Sequence, residues 1–284
     1  MRAQRVLLLV ALLLAAQPAA AWLDEAVVEL PVVVADAKGR KVSHAIKVTV
    51  FRDNAIAKSP FLILNHGRAV KAEERANLGR ARYADNARYF VGKGFAVFVP
   101  TRIGYGVTGG PDVEDSGACA RKNYPPVYEA AAQQTLAVLE HARTRPYVDA
   151  ARGLVVGQSF GGTTAIAIAA RNAPGVAGAV NFAGGGGGNP VDRPADPCRP
   201  ELLTSLFAGY GKTARLPTLW LYSENDRYFG KEHPRAWFDA FAAAGGKGEF
   251  VQLPAHGKDG HGSFTSNTGA WKPAFEDFLR RNGF

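Results

Sequence analysis

Two kinds of hydrophobic pattern alternate along the chain, short apolar runs and longer amphipathic segments. Short apolar runs between polar or glycine positions are typical of strands, whereas apolar residues on one side of a 3.6-residue period indicate helices. The predicted strands cover residues 25–35, 43–52, 61–65, 95–100, 154–156, 176–182, 218–222 and 249–253. The predicted helices cover residues 76–93, 127–145, 163–170, 199–210, 231–244 and 271–281.

The order of these elements predicts an α/β fold. The first two strands flank the turn 36–39 and are expected to form an antiparallel hairpin. Helices and short, continuously apolar strands then alternate, which favours one doubly wound, mostly parallel sheet. In such sheets functional groups gather beyond the carboxyl ends of the strands.

The first 21 residues have a different pattern. Two arginines precede the apolar run 6–16, and Pro18 and three alanines follow. A basic start, a short apolar run and small residues are typical of a secretory signal peptide, and this run is too short to span a bilayer comfortably. We expect cleavage after Ala21, one domain over residues 22–284, and a secreted or periplasmic protein without stable membrane insertion.

Composition and charge add little to this interpretation. The 284 residues are 47% hydrophobic, which is enough for a full core. Loss of two arginines with the first 21 residues lowers the formal net charge from +9 to +7. Because the lysines and arginines are scattered rather than clustered, we expect no nucleic-acid partner.

The strand at 154–156 leads into Gly157-Gln158-Ser159-Phe160-Gly161-Gly162, and a helix is predicted directly after it. A G-x-S-x-G sequence between a strand and a helix is typical of a nucleophile elbow. The serine of such a turn has a strained backbone, and its neighbours are small because strand and helix nearly touch. We therefore expect Ser159 to be a nucleophile.

An acid and a histidine follow later strands, in the order expected for a catalytic triad. A serine hydroxyl is a poor nucleophile at neutral pH, so His261 is expected to take its proton and Asp226 to orient the imidazole. Glu224 is an alternative acid and His256 an alternative base. We favour Asp226 because it lies further beyond its strand, and His261 because it lies deeper in a loop and is flanked by glycines.

Acyl transfer places negative charge on an oxygen atom, so backbone N–H groups must already point at that position. One expected donor is the N–H of Phe160, the residue after the nucleophile. The second is expected from Arg68, because Gly67 lets the backbone turn so that the next N–H faces inward. We expect His66 to be a structural residue of this turn.

Together, His66-Gly67 after the third strand, the elbow, the turn 223–226 and Gly260-His261-Gly262 resemble the α/β-hydrolase superfamily. Within it they resemble the dienelactone-hydrolase-like and prolyl-oligopeptidase-like esterases. The resemblance covers nearly all of the chain after residue 21. It implies an α/β-hydrolase fold and hydrolysis of small-molecule esters through an acyl-enzyme, with no metal or cofactor. Dienelactone hydrolases usually use cysteine as the nucleophile, so Ser159 favours ordinary esters over lactones.

Two other functions remain as alternatives. A peptidase of the prolyl-oligopeptidase type ranks lower, because residues 22–284 contain no propeller or other gating domain. A binding protein that has kept a hydrolase fold ranks lower as well, because all three triad residue types are present.

Two glycine-rich segments do not fit nucleotide sites. The sequence Gly104-Tyr105-Gly106-Val107-Thr108-Gly109 follows a strand, but Gly110-Pro111-Asp112 is a poor start for the helix that a dinucleotide site needs. The glycine run 184–188 is not followed by the Gly-Lys-Ser/Thr of a P-loop. We expect this run to be a flexible loop beside the active site.

The two cysteines lie in long segments that follow predicted strands. In an oxidising compartment a lone pair of cysteines most simply forms a disulfide. We expect a Cys119–Cys198 disulfide to tie the segments 101–126 and 184–216 into a cap over the site. The aromatic residues expected to line the substrate pocket are Tyr105, Tyr124 and Phe160.

Overall fold

A computed structural model describes residues 23–284, and the expected signal peptide lies outside these residues. The strands are β1 (Leu23–Ala35), β2 (Lys41–Asp53), β3 (Ser59–Asn65), β4 (Ala96–Thr101), β5 (Val148–Gln158), β6 (Val176–Phe182), β7 (Thr218–Ser223) and β8 (Gly248–Leu253). The helices are α1 (Ala72–Ala76), α2 (Ala84–Gly92), α3 (Tyr124–Arg143), α4 (Phe160–Ala169), α5 (Pro200–Thr213), α6 (Glu232–Ala243), α7 (Ser263–Ser266) and α8 (Thr268–Arg281).

The strands form one eight-stranded sheet with the order β1-β2-β4-β3-β5-β6-β7-β8. Strands β1 and β2 form the expected antiparallel hairpin, and β2 pairs antiparallel with β4. All later pairs are parallel. The hairpin turn is closed by the Asp36 carboxylate, which accepts hydrogen bonds from the N–H groups of Lys38 and Arg40. The predicted α/β class and sheet are confirmed.

Strand residues alternate between the two faces of the sheet, as the pleat of a β-strand requires. On β5, Leu154 and Val156 contribute to a core that also contains Phe90 of α2 and Trp271 of α8. Val155 points to the opposite core, with alanines of α3 and α4. Since β5 is buried on both faces, it fixes the position of the turn that follows it.

The structure corrects one predicted helix. Instead of a helix over 76–93, α1 ends at Ala76 and α2 begins at Ala84. Gly79 has a φ of 69° and Tyr83 a φ of 46°, which are left-handed conformations that a right-handed helix excludes. The backbone between them instead bonds to the segment after β4, because the Val107 N–H donates to the Gly79 carbonyl over 2.9 Å. Tertiary hydrogen bonds replace those of a helix.

Two long segments leave the carboxyl ends of β4 and β6 and precede α3 and α5. They are joined by a disulfide between Cys119 and Cys198, as predicted. Within residues 23–284, no helix has the length and hydropathy needed to cross a membrane.

Candidate active site

Ser159 lies between the end of β5 and the start of α4, with φ 56° and ψ −125°. Its own N–H donates to the Phe182 carbonyl over 2.8 Å, which ties the turn to β6. A β-carbon at Gly157 would lie 2.0 Å from the Gly161 carbonyl oxygen, and one at Gly161 would lie 2.2 Å from that of Asn65. These distances are far below contact distance, so the sharp turn requires glycine at both positions.

The structure brings Ser159, His261 and Asp226 together. The His261 Nε2 lies 2.9 Å from the Ser159 Oγ, and its Nδ1 lies 2.9 Å from the Asp226 Oδ2. A carboxylate accepts, so Nδ1 carries the hydrogen and Nε2 can accept the serine proton. All three residues are buried, and their shortest sequence separation is 35 residues. Their assembly therefore depends on the tertiary fold.

The alternative acid and base lie elsewhere. The Glu224 carboxylate is 47% exposed and lies 3.6 Å from the Lys231 ammonium. The backbone of His256 is bonded to the Asn225 side chain, because its N–H donates to Oδ1 and its carbonyl accepts from Nδ2. Of the four candidates, His261 bonds to Ser159 and Asp226 bonds to His261, and this is the pair preferred from the sequence.

The loop after Asp226 shapes the site in a way that sequence reasoning missed. The N–H groups of Tyr228 and Phe229 donate to the Asp226 Oδ1 over 2.7 and 3.0 Å. The Tyr228 ring stacks on the imidazole of His261 with centroids 4.0 Å apart, and Phe229 packs edge-on at 5.1 Å. Tyr228 and Phe229 lie two and three residues after Asp226, but their packing on His261 depends on the loop conformation, so no local sequence signal pointed to it.

The two expected oxyanion donors lie beside Ser159. A β-carbon at Gly67 would lie 3.1 Å from the Ser159 β-carbon, so the turn after β3 touches the elbow. Within residues 23–284, the backbone N–H groups of Arg68 and Phe160 donate to no other protein group. Both are free to bind a ligand oxygen.

His66 has the structural role expected for it. Its Nε2 accepts from the Arg102 N–H over 3.1 Å, and its Nδ1 donates to the Gly67 carbonyl over 2.7 Å. Burial, together with the nearby Arg102 charge, holds the pKa of His66 well below its ordinary value of 6.5. The ring is therefore neutral, and it closes the turn that carries Gly67.

Beneath this turn lies a buried ion pair that sequence reasoning also missed. The Arg102 Nη1 donates to the His66 carbonyl over 2.7 Å, and its Nε donates to the Glu114 Oε1 over 2.6 Å. Both charged side chains are fully buried. Tyr105, expected to line the pocket, instead donates its hydroxyl to the Glu114 Oε2 and packs edge-on against His66. The expectation for Tyr105 was wrong because the tight turn 104–109 points it toward this ion pair.

A second network joins the turn after β3 to the elbow through Tyr83. The Tyr83 hydroxyl donates to the Gln158 Oε1 over 2.9 Å and lies 3.4 Å from the Gly67 N–H. The Gln158 Nε2 donates in turn to the His261 carbonyl over 3.3 Å. Burial raises the pKa of Tyr83 to about 12, so the hydroxyl keeps its proton near neutral pH. Three loops of the site are thereby held together.

A larger and a smaller cavity both open at Ser159. The larger cavity has a volume of about 470 Å³ and reaches Phe160, Tyr124 and the disulfide. The glycine run contributes residues 185–188 to its wall, as expected for a loop beside the site. The smaller cavity has a volume of about 230 Å³ and is lined by Gln158, Tyr83, Leu78 and His261.

Comparisons with known proteins give the family. A family model described as "Dienelactone hydrolase family" matches residues 78–272. No curated protein matches the chain.

Several solved structures share the fold. The acylaminoacyl peptidase of Pyrococcus horikoshii aligns with a TM-score of 0.61 and 13% identity, over 92% of this chain and 42% of that protein. An esterase of Pyrococcus furiosus aligns with a TM-score of 0.57 and 12% identity, over 89% of this chain and 90% of that protein. Acetyl xylan esterase 1 from Thermoanaerobacterium sp. aligns with a TM-score of 0.56 and 18% identity, over 87% of this chain and 85% of that protein.

These structural likenesses concern the fold alone, and the chain spans less than half the length of the acylaminoacyl peptidase. The family match, in contrast, covers more than half of the 284 residues. It begins in the segment before α2, includes the elbow, Asp226 and His261, and ends inside α8. The chain has an α/β-hydrolase fold and belongs to the dienelactone hydrolase family.

Proposed function

We propose that the protein is a secreted serine hydrolase that cleaves carboxylic esters, with Ser159, His261 and Asp226 as its catalytic triad. The observation that carries this proposal is the hydrogen-bonded series from the Asp226 Oδ2 through His261 to the Ser159 Oγ. The serine lies at a strained turn where two cavities meet. Nucleophile, base and orienting group are thus already in hydrogen-bond reach.

In the first half-reaction the Ser159 Oγ attacks the ester carbonyl carbon while its proton passes to the His261 Nε2. The tetrahedral intermediate collapses when the bond to the alkoxy oxygen breaks, and the imidazolium returns the proton to the leaving alcohol. Water, deprotonated by the same imidazole, then attacks the acyl carbon. The bond to the Ser159 Oγ breaks, the imidazolium returns the proton to that oxygen, and the acid leaves. The free N–H groups of Phe160 and Arg68 are the donors that hold the oxyanion.

The fixed backbone around Arg68 supports this role. An oxyanion donor is useful only when it is oriented before the reaction, since reorientation during the reaction costs energy. The His66 carbonyl accepts from the Arg102 guanidinium, and the Gly67 carbonyl accepts from the His66 ring. In a trans peptide the Arg68 N–H points opposite to the Gly67 carbonyl, so it is directed away from the His66 ring.

The test is hydrolysis of a short-chain nitrophenyl ester by Ser159→Ala. We expect kcat to fall by about 1000-fold or more, because the substitution removes the nucleophile and leaves the binding groups. Ser205→Ala on α5 is the matched control, since the Ser205 hydroxyl bonds to a carbonyl of its own helix. Equal rates for wild type and Ser159→Ala would refute the mechanism.

Two alternatives have their own readouts. A peptidase would hydrolyse a nitroanilide amide of the same acyl group as well as the ester, whereas an esterase would hydrolyse the ester and leave the amide intact. A non-catalytic binding protein would leave Ser159 unlabelled by a fluorophosphonate probe. The likeness to acylaminoacyl peptidase does not favour the peptidase, because it concerns the fold alone.

We also propose export, with residues 22–284 as the single hydrolase domain. The disulfide supports this, because such bonds persist in oxidising compartments. The basic and apolar pattern of residues 1–21 supports it too. N-terminal sequencing of the exported protein is expected to begin at Trp22, and an intact Met1 would contradict cleavage.

A further inference from the structure

We propose that the substrates are esters of a bulky acid with a small alcohol, the acyl group binding in the larger cavity and the alcohol in the smaller one. This inference rests on the esterase function proposed above and adds the orientation and shape of the substrate. The supporting observation is that the two cavities that meet at Ser159 differ in volume and in their lining residues.

The position of His261 decides which cavity receives the alcohol. The alkoxy oxygen leaves with a proton from the His261 Nε2, so it must lie within hydrogen-bond reach of that atom. His261 lines the smaller cavity, together with Gln158. Phe160 lines the larger cavity, which His261 does not line. The alcohol therefore points into the smaller cavity and the acyl group into the larger one.

The size of each cavity then limits each half of the ester. The larger cavity has about twice the volume of the smaller, with 470 against 230 Å³. The wall of the smaller cavity is held in place, because the Tyr83 hydroxyl bonds to Gln158 and the Tyr228 ring stacks on His261. Because this wall is held in place and the cavity is the smaller of the two, we expect a large alcohol to fit less well than a large acyl group.

A pair of isomers tests the assignment. Methyl cyclohexanecarboxylate and cyclohexyl acetate have the same atoms, with the ring on the acyl or on the alcohol side. We expect kcat/KM to be about tenfold or more higher for methyl cyclohexanecarboxylate, which is the range that pocket size usually gives. The measurement is acid release at constant pH.

Two matched variants separate the cavities. Val70 lines the larger cavity and Leu78 the smaller, and their side chains are 43% and 41% exposed. Val70→Trp narrows the acyl side. It is expected to lower the ratio of kcat/KM for methyl cyclohexanecarboxylate to kcat/KM for cyclohexyl acetate. Leu78→Trp narrows the alcohol side and is expected to raise that ratio. Val107→Trp is the control, since Val107 is 51% exposed and lies outside both cavities.

The outcomes distinguish this inference from the esterase proposal. A higher kcat/KM for cyclohexyl acetate, or the opposite response of the two tryptophan variants, would overturn the assignment and leave the esterase intact. If the kcat/KM ratio of the two isomers changes as much in Val107→Trp as in the other two variants, the cavity assignment is also overturned. No hydrolysis of either isomer or of any nitrophenyl ester would refute the esterase function, and the assignment with it.

Discussion

The carboxylate of Asp226 is oriented before any substrate binds. Its Oδ1 accepts two backbone N–H groups from its own loop, which leaves Oδ2 facing the His261 Nδ1. The sequence order of serine, acid and histidine predicts a triad role for these two residues, and the structure places them within hydrogen-bond distance of each other. That order was not enough to predict Tyr228 and Phe229, because their part in the site depends on a loop conformation rather than on a motif.

Asp226→Asn is expected to lower kcat by about 10,000-fold. The asparagine can keep its Oδ1 on the two backbone N–H groups, which turns its amide N–H₂ toward the His261 Nδ1. The imidazole must then carry its hydrogen on Nε2, where it can no longer accept the serine proton. The measurement is nitrophenyl ester hydrolysis, with the melting temperature to show that the fold is kept.

The matched controls for this prediction are the alternatives Glu224→Gln and His256→Gln. Both side chains lie away from Ser159, so each variant is expected to keep a kcat within about threefold of wild type. A large loss in either control, with Asp226→Asn still active, would show that the triad has been assigned to the wrong residues.

The sheet positions the site, whereas the segments between its strands give the site its walls. Strands, most helices and the hairpin could be predicted because each has a hydrophobic period of its own. The helix expected over 76–93 was wrong, since Gly79 and Tyr83 adopt left-handed conformations to meet the segment after β4. That contact joins distant parts of the chain, and no local pattern encodes it.

The disulfide joins the segment after β4 to the segment after β6, across 79 residues of sequence. Replacing both cysteines by serine is expected to lower the free energy of unfolding by about 2–4 kcal/mol, because the open chain gains conformational freedom in the unfolded state. Urea unfolding measures this difference. Dithiothreitol is expected to lower the stability of the wild type and to leave that of the double serine variant unchanged. Equal stabilities of the oxidised wild type and the double serine variant would contradict a structural role of the disulfide.

Beneath the turn after β3, the whole molecule has a buried polar centre. His66, Arg102 and Glu114 are all fully or almost fully buried, and they satisfy one another and the carbonyls of the turn. The sequence indicated a structural role for His66 but gave no sign of its partners, which both come from the segment after β4. A buried charge pair is recognised only when its geometry is known.

This centre makes stability depend on pH. The pKa of His66 is lowered in the folded state, chiefly by burial, so the unfolded chain binds a proton first when the pH falls below about 6.5. The free energy of unfolding is therefore expected to fall below pH 6.5, by at most about 1.4 kcal/mol per pH unit for this group. Above pH 6.5 His66 contributes no further change.

His66→Gln is the variant that checks this, measured by urea unfolding between pH 7.5 and 5. A glutamine can hydrogen-bond in the same turn but does not titrate, so its stability is expected to fall less steeply with acid. The pKa of His141 is also lowered, by partial burial and Arg145, and it contributes equally to both proteins. If the free energy of unfolding falls equally with acid in both proteins, His66 is not the cause of the acid destabilisation.

Tyr83 places two structural demands in conflict. Its φ of 46° is a conformation that asparagine or glycine adopts more easily, so either replacement would relax the backbone. Either would also remove the hydroxyl that joins the Gly67 turn to Gln158, and the ring that packs edge-on against Phe264. These lost contacts oppose the gain from a relaxed backbone, so the tyrosine is retained for what its side chain joins rather than for its local conformation. The strained backbone at position 83 is thus compensated by contacts from three other segments of the chain.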